Sequence, residues 1–93
     1  MFSLSVSFTI LLDKTEDFVD MAVKQAREMI KEERSYIRCE LYRSQDEPEK
    51  FSLHVVYKDQ QDARKDWPVL DSFHKAVKPW LLKSRIISWD RLI

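Results

Sequence analysis

The amino-acid sequence predicts an α+β domain in which one antiparallel sheet of four strands carries two helical regions. Three observations lead to this prediction. Hydrophobic residues alternate with polar residues in four segments, they recur every three or four residues in two others, and turn-forming residues separate the segments. The 93 residues are expected to form one domain, 1–93, because chains seldom divide into domains below about 100 residues.

The first strand and the first helix are predicted in the N-terminal third of the chain. Over residues 2–12 a hydrophobic residue stands at every even position and serine or threonine fills most of the gaps, which indicates a strand with one dry face. Asp13 and Glu16 have the spacing of a capping box before a helix over about 16–33. The stripe expected to be buried on this helix consists of Phe18, Val19, Ala22, Val23, Ala26, Met29 and Ile30.

The second and third strands are predicted to form a hairpin. Strands of alternating pattern over about 37–42 and 51–57 flank a polar turn, 44–48, that ends in proline. On each of the first three strands the drier face should lie beneath the helices, since helices cover only one face of such a sheet. The residues of these drier faces are Leu4, Val6, Phe8, Ile10, Ile37, Cys39, Leu41, Phe51, Leu53, Val55 and Tyr57.

The C-terminal part of the chain completes the predicted order of elements. Asp59 is expected to begin a short helix over about 60–67, which Pro68 closes because the residue before a proline avoids the helical conformation. A second helical segment over about 69–78 and a last strand over about 81–92 follow. The order strand, helix, strand, strand, helix, strand is the split βαβ, or ferredoxin-like, arrangement.

The face of the sheet turned away from the helices is predicted to be polar but suited to packing. It is expected to carry Ser5, Ser7, Thr9, Arg38, Glu40, Tyr42, Ser52, His54 and Val56. Such a face can meet water alone, or it can meet a second copy of the chain across a two-fold axis, where Arg38 and Glu40 would pair. The thin core of so short a chain means that oligomerisation would help, but the residues alone leave both possibilities open. In a homodimer through this face, His54 is expected to make a hydrogen bond at the interface.

Composition excludes several classes of function. The chain has no glycine, so the glycine-rich phosphate loops of Rossmann and P-loop proteins are ruled out. Sixteen basic and sixteen acidic residues cancel, which gives no electrostatic reason to expect a nucleic-acid or membrane partner. One cysteine precludes an internal disulfide, and two histidines without regular spacing argue against a metal site. Without a basic leader region or an apolar run of ~20 residues, a cytoplasmic location is expected.

The segment from Glu33 to Arg64 contains four features in order. They are a strand with a glutamate and a tyrosine, a turn with a proline, a second strand with aromatic residues, and a helix that begins with an aspartate. The residues that carry the combination are Ile37, Glu40, Leu41, Tyr42, Pro48, Phe51, Tyr57, Asp59 and Ala63. In these residues the chain resembles the antibiotic biosynthesis monooxygenase (ABM) domain. The resemblance implies a dimeric α+β barrel with a small pocket in each subunit. It also implies that the chain oxidises polycyclic phenols or quinols with O₂ and no metal or flavin, as some members do, or that it degrades heme, as others do.

Several positions depart from the ABM pattern, and the departures remove polar groups from the expected pocket. Leu53 and Val55 stand where polar partners are common, and Ser35 replaces a glycine. Family members commonly have a histidine in the second helical region. At that position this chain has Asp66, unless a short insertion shifts the equivalent residue to His74. Toward the heme-degrading members, Trp67 resembles their tryptophan, but Val77 stands at the position of their iron-ligating histidine and the chain has no asparagine. These differences count against heme degradation.

The predicted site follows from the resemblance and from the residue types. His74 and Tyr57 are the predicted catalytic residues, because each offers a group that can take a proton and histidine titrates near neutral pH. The predicted substrate-binding residues are Trp67, Phe73, Leu53, Cys39 and Phe8. No metal or other cofactor is expected, and the expected ligand is a small aromatic molecule.

Simpler interpretations of these residues stay open at this point. His74 can be a partly exposed helical residue, and Tyr57 and Trp67 can be part of the core. Arg85 is either an anion contact or a solvated strand end, while Trp80 and Trp89 are expected in the core or the dimer interface. We predict an ABM-type oxygenase of an aromatic or quinol-like substrate. The alternatives are a non-catalytic dimeric protein that binds a small ligand, and a relative that binds or degrades heme.

Overall fold

The computed structural model describes residues 1–31 and 36–93, with side chains described for 1–27 and 36–93. The elements in chain order are β1 (Phe2–Ile10), a 3₁₀ turn (Leu12–Lys14), α1 (Thr15–Lys31), β2 (Tyr36–Arg43), β3 (Lys50–Tyr57), α2 (Gln60–Val77), a second 3₁₀ turn (Lys78–Trp80) and β4 (Leu81–Asp90). The strand order in the sheet is β2-β3-β1-β4, and each neighbouring pair is antiparallel. The predicted α+β, ferredoxin-like arrangement is confirmed.

β1 lies at the centre of the sheet, and its register determines what each face presents. Phe8 stands opposite Phe51 of β3, and Ser5 stands between His54 of β3 and Ile87 of β4. Because successive side chains point to opposite faces, the even-numbered residues of β1 lie beneath the helices and the odd-numbered residues lie on the outer face. The predicted dry inner face and polar outer face are confirmed for β1 and β3.

The hydrophobic core lies between the inner face of the sheet and the two helices. Phe18 of α1 is fully buried, and its ring centroid lies 4.6 Å from that of Phe51 and 5.3 Å from that of Phe8. Tilted aromatic contacts at such separations contribute about 0.5–1.5 kcal/mol each beyond the burial of their area. The other buried core residues are Leu4, Val6, Ile10, Val55, Tyr57, Ala63, Leu70, Phe73 and Val77.

One prediction for the inner face is wrong, since Ile37 is 54% exposed. The pairing of β2 with β3 shifts between Tyr36 and Arg38, which leaves Ile37 as the extra residue of a β-bulge. Tyr36 and Cys39, on either side of the bulge, consequently both pack against the buried core on the inner face. A bulge reverses the alternation of side chains, and strict period-two reasoning has no means of locating it.

The predicted cap of α1 is also wrong. The 3₁₀ turn begins at Leu12, so Asp13 lies inside the turn and does not cap the helix. The Thr15 hydroxyl donates a hydrogen bond to the carbonyl of Leu12 over 3.2 Å, at the point where the turn passes into α1. The strand itself ends at Ile10, two residues before the predicted limit.

The predicted buried stripe of α1 is confirmed only in its first turns. Phe18 is buried and Val19 and Ala22 are half-buried, whereas Val23 and Ala26 are exposed. The remaining two members of the stripe, Met29 and Ile30, lie outside the residues whose side chains are described.

α2 is one continuous helix, so the predicted break at Pro68 is wrong. Proline has no backbone N–H to give to the carbonyl of Arg64, and a proline inside a helix costs about 3 kcal/mol. The helix nevertheless continues because it buries one face on the sheet through Ala63, Leu70, Phe73 and Val77, while Pro68 is exposed. The predicted start is confirmed, since the Asp59 carboxylate accepts a hydrogen bond from the backbone N–H of Asp62 over 3.0 Å.

β4 differs from the other strands because the helices leave its inner side uncovered. α2 packs on β1, β2 and β3, whereas Ser84, Ile86 and Ser88 on the inner side of β4 are exposed. The strand ends at Asp90, before the predicted limit of residue 92. A four-stranded sheet is wider than two helices, so this arrangement leaves a groove along one edge.

Candidate active site

The groove between α2 and the inner side of β4, with β1 as its floor, is the candidate active site and is called the α2–β4 groove. The wall on α2 consists of Gln60, Arg64, Trp67, Asp71 and His74. Their spacing alternates between four and three residues, which places them on one side of a helix. The wall on β4 consists of Ser84, Ile86 and Ser88, and the floor consists of Phe2, Leu4, Val6 and Phe8.

The groove holds two cavities that meet at Trp67 and Ile86, because these two side chains line both. The His74 cavity, of about 160 Å³, lies toward the C-terminal end of α2. The Arg64 cavity, of about 240 Å³, lies toward its N-terminal end. A cavity of about 150 Å³ can hold a benzene ring, so each of the two has room for one ring of an aromatic ligand.

Five of the seven predicted site residues line the His74 cavity. They are His74, Trp67, Phe73, Leu53 and Phe8. Phe73 and Phe8 are buried and present aromatic walls, with ring centroids 5.9 Å apart in an edge-to-face arrangement. The cavity therefore combines one imidazole with walls that are mainly apolar, which suits a flat aromatic ligand.

His74 is the imidazole of this cavity and lies at its rim. Its Nε2 atom lies 3.1 Å from Oγ of Ser84 across the groove, and its ring centroid lies 6.3 Å from that of Phe8. Within the described side chains, Nδ1 has no hydrogen-bond partner. The neighbouring acid Asp71 is held in an ion pair with Lys75 at 3.1 Å. Sequence reasoning missed Ser84, because only the register between β1 and β4 brings it to this position.

A third cavity lies beside the His74 cavity and shares Leu53, Leu70 and Phe73 with it. It measures about 80 Å³, is lined by residues of α1, α2 and the β2–β3 hairpin, and has Cys39 in its wall. Burial raises the pKa of the Cys39 thiol, and the negative charges of Asp66 and Glu40 raise it further. A half-buried thiol with a raised pKa is a poor nucleophile and behaves as a small apolar group.

Tyr57, the second predicted catalytic residue, lies in the core beneath the first half of α2. Its side chain is fully buried, and its hydroxyl donates a hydrogen bond to Oδ2 of Asp66 over 2.8 Å. Asp66 is itself only 2% exposed. This pair joins β3 to α2, and Tyr57 is not among the residues that line the three cavities described above. Its catalytic role stays a prediction.

The outer face of the sheet carries a second polar cluster around His54. Nδ1 of His54 lies 3.3 Å from Oγ of Ser5 and Nε2 lies 2.8 Å from Oγ of Ser52, so hydroxyls meet both ring nitrogens. Nε1 of Trp89 donates a hydrogen bond to Oγ of Ser5 over 3.1 Å. Ser5, His54 and Trp89 line a shallow concavity of about 620 Å³.

The same concavity has a charged side formed by β2. Arg38 and Glu40 form an ion pair at 3.1 Å within one strand, and the Tyr42 hydroxyl donates to Oε2 of Glu40 over 2.9 Å. This hydrogen bond raises the pKa of the Tyr42 hydroxyl, with smaller increases from burial and from the Glu40 charge that the Arg38 charge opposes. The Arg38–Glu40 ion pair is thus made within one chain, and their pairing across a dimer axis stays a prediction.

The remaining predicted positions lie away from the groove. Arg85 pairs with Ser7 of β1 and therefore shares its outer face, so it does not reach a ligand in the groove as a phenolate contact would require. Trp80 packs against the core and Trp89 lies on the outer face, 53% exposed.

Among the described residues, no group of three or more histidine, cysteine or acidic side chains is arranged to hold a metal ion. A separate search of the described helices found none with the length and hydrophobicity that crossing a membrane requires.

Comparison with known proteins identifies the family. Residues 1–79 match the model of the antibiotic biosynthesis monooxygenase family, which is most of the chain. The chain belongs to the antibiotic biosynthesis monooxygenase family. No curated protein sequence matches it.

Solved structures of proteins from several organisms show the same fold. A Nitrosomonas europaea protein provisionally assigned as an antibiotic biosynthesis monooxygenase is 23% identical, with a TM-score of 0.87 over 100% of both chains. A conserved protein of Methanosarcina mazei Go1 is 16% identical, with a TM-score of 0.86 over 97% of this chain and 91% of that one. SnoaB, a cofactor-independent oxygenase from Streptomyces nogalater, is 15% identical, with a TM-score of 0.82 over 99% and 93%. At these identities the likeness shows the fold alone.

Proposed function

We propose that this ABM family member is an oxygenase that oxidises an aromatic or quinol-like substrate in the His74 cavity, without metal or flavin. The observation that carries the proposal is the position of His74, whose imidazole faces a cavity with mainly apolar and aromatic walls. The fold similarity to SnoaB, a cofactor-independent oxygenase, supports the reaction class. Family membership supports monooxygenase chemistry in general.

The proposed reaction requires one proton acceptor and a dry site. His74 takes a proton from a phenol or from the activated CH₂ group of an anthrone-like substrate. The resulting anion is electron-rich and reduces O₂, so that carbon bonds to one oxygen atom and a peroxide anion forms. The His74 imidazolium returns the proton to this anion, which gives a hydroperoxide and restores neutral His74. Loss of water from the hydroperoxide leaves a carbonyl group. One oxygen atom of O₂ ends in the product and the other in water, while the CH₂ carbon is oxidised.

The other residues of the cavity have a positioning role in this proposal. Trp67 and Phe73 would hold the flat ring system by stacking and by edge contacts, and Leu53 and Phe8 would keep water from the anion. Ser84 would hold the His74 ring in place, since its hydroxyl lies 3.1 Å from Nε2. A substrate hydroxyl that enters the cavity would compete with Ser84 for this nitrogen, or would pass its proton through the Ser84 hydroxyl.

We also propose that the chain forms a homodimer through the outer face of the sheet. The support is an outer face with exposed aromatic side chains, Trp89 and Tyr42, around a polar cluster that is already hydrogen-bonded internally. Polar groups that are satisfied within one chain lose little when a partner excludes water. Sedimentation at micromolar concentration is expected to give twice the chain mass of 11.2 kDa. A particle of the single chain mass would contradict the dimer.

The oxygenase proposal is tested by measuring O₂ uptake with an oxygen electrode. The purified protein is incubated with naphthol, anthrone and hydroquinone substrates, with and without a metal chelator. We expect uptake of one O₂ per product quinone, insensitive to the chelator, for at least one of these substrates. Tight binding of the panel without O₂ uptake would overturn the proposal in favour of a non-catalytic binding protein. A Soret shift with heme that is lost in His74→Ala would overturn it in favour of a heme-binding relative.

A further inference from the structure

The α2–β4 groove extends well beyond the cavity assigned to the reaction. Gln60 and His74 mark its two ends on α2, and a rise of 1.5 Å per residue separates them by about 21 Å. Trp67 stands midway between them. A ligand confined to the His74 cavity would leave the other half of the groove empty, so the groove is longer than a two-ring phenol needs.

The two halves of the groove differ in chemistry. The His74 cavity is lined mainly by apolar and aromatic groups, whereas the Arg64 cavity carries the polar side chains Gln60, Arg64 and Ser88 above an apolar floor. The floor of the Arg64 cavity consists of Phe2, Leu4 and Ala63. An apolar floor beneath a cationic wall suits a flat ring that carries a negative group.

Arg64 is an available cation in this half. Its neighbour Lys65 is occupied by Asp62 at 3.7 Å, and Lys75 is occupied by Asp71 at 3.1 Å. Considering only residues 1–27 and 36–93, no carboxylate lies within ion-pair distance of the Arg64 guanidinium. The planar guanidinium presents donors in a fork that matches a carboxylate.

Trp67 and Ile86 form the connection between the halves. They belong to the walls of both cavities and are 43% and 46% exposed, so neither is held in the core. The indole lies on α2 and the isoleucine on β4, on opposite sides of the groove. A flat aromatic system can pass between two such side chains, whereas a branched or saturated ring system is thicker.

We propose that the α2–β4 groove takes an elongated aromatic acid, with its aromatic body in the His74 cavity and its anionic end bound by Arg64. Trp67 and Ile86 then select for flat molecules. This inference rests on the proposed function, because it names the class of substrate for the same site. It adds Arg64 and Ile86 as residues that determine specificity.

The test compares two ligands that differ only in charge. The probes are a naphthol and the hydroxynaphthoate that carries a carboxylate on the ring opposite the hydroxyl. Affinity is measured by quenching of tryptophan fluorescence under nitrogen, so that binding is observed whether or not the protein reacts with O₂. We expect the hydroxynaphthoate to bind about tenfold more tightly, as a forked charge-assisted hydrogen bond allows. Raising the salt concentration should reduce this advantage.

Two variants and a matched control locate the effect. Arg64→Gln should abolish the preference for the carboxylate, so that the two probes bind with similar affinity. Lys65→Gln removes the same charge from the adjacent residue, which pairs with Asp62, and should keep the preference. Ile86→Trp fills the connection, and it should weaken the hydroxynaphthoate more than the naphthol. Because all three positions are exposed, the variants are expected to fold.

Equal affinity of the wild-type protein for the two probes would overturn the inference, as would a preference that survives Arg64→Gln. These outcomes are distinct from failure of the proposed function. A carboxylate preference that depends on Arg64, without O₂ uptake, would leave the groove assignment standing and remove the oxygenase. O₂ uptake with naphthol and no carboxylate preference would do the reverse.

Discussion

The two faces of the sheet each carry one histidine, and the two histidines differ in what surrounds them. His54 on the outer face has a serine hydroxyl at each ring nitrogen, whereas the described contacts of His74 on the inner side include a single serine, at Nε2. His54 stands among charged and polar groups, while His74 faces a mainly apolar cavity. The residue type is the same, but of the two only His74 faces a mainly apolar cavity and has a ring nitrogen, Nδ1, without a hydrogen-bond partner among the described side chains.

The two faces are suited to different roles because their polar groups are paired differently. On the outer face, the polar groups around Ser5 and Glu40 form hydrogen bonds with one another. A partner subunit can therefore cover this face without leaving them unsatisfied. Within the described part of the chain, the α2–β4 groove holds a cation without a carboxylate partner and an imidazole at its rim, which suits it to binding and chemistry. The inner side therefore carries the proposed reaction, and the outer face carries the proposed dimer contact.

The largest effect is expected from replacing the two histidines in parallel. His74→Gln should lower the rate of O₂ consumption by about 10²–10⁴-fold, the usual contribution of a general base. Glutamine retains a group that can hydrogen-bond to Ser84, so the fold should be kept. His54→Gln should cause no comparable loss when assayed at a concentration where the protein is dimeric. Similar losses in both variants, measured with an oxygen electrode, would remove the distinction between the faces.

The next largest effect is expected on assembly. Val56 lies half-buried on the outer face and lines the concavity. Val56→Asp would place like charges near each other across a two-fold axis, which costs several kcal/mol and should weaken the dimer about 100-fold. Ala76→Asp, on the exposed side of α2, is the control and should leave the dimer intact. If analytical ultracentrifugation shows no difference between the two variants, the interface lies elsewhere.

A smaller effect is expected for the polar pair inside the core. Asp66→Ala removes the acceptor of the buried Tyr57 hydroxyl and should lower the free energy of unfolding by about 1–3 kcal/mol. Asp71→Ala breaks an exposed ion pair with Lys75 on the same helix and should cost about 0–1 kcal/mol. Urea denaturation monitored by circular dichroism measures both. Equal urea midpoints for the two variants would show that the Tyr57–Asp66 hydrogen bond stabilises the protein no more than an exposed ion pair does.

The smallest effect concerns Cys39 and its dependence on pH. Because its pKa is raised above that of an ordinary thiol, the folded protein holds less thiolate at pH 8 than the unfolded chain does. Alkylation by iodoacetamide should be several-fold slower in the native protein than in urea. The native rate should continue to increase with pH above the usual cysteine range. A native rate equal to that in urea would contradict the burial of Cys39 in the third cavity.

Local sequence patterns predicted much of this molecule and failed where long-range packing decides. The alternation of hydrophobic and polar residues correctly predicted which residues of β1 and β3 lie on the inner face, because successive side chains of a strand point to opposite faces. It misplaced Ile37, where a bulge interrupts the alternation. The rule that proline ends a helix failed at Pro68, since burial of Leu70, Phe73 and Val77 offsets a cost of about 3 kcal/mol.

The candidate site was predicted in part for the same reason. The family resemblance pointed to His74, Trp67 and Phe73 on α2, and the structure places all three in one cavity wall. The partners on β4, Ser84 and Ile86, were missed. No local signal distinguishes them from other residues of an exposed strand.

The sequence by itself determined the order of the elements, the dry and polar faces of β1 and β3, and the cap at Asp59, because each of these follows from neighbours within a few residues. Only the tertiary structure decided that α2 continues through Pro68 and that a groove opens beside β4. It also decided that His74 meets Ser84 while Arg64 shares that groove. These contacts depend on the pairing of β1 with β4, where Ser7 meets Arg85 across a separation of 78 residues. The register is set by packing over the whole sheet, so it cannot be predicted from any short segment of the sequence.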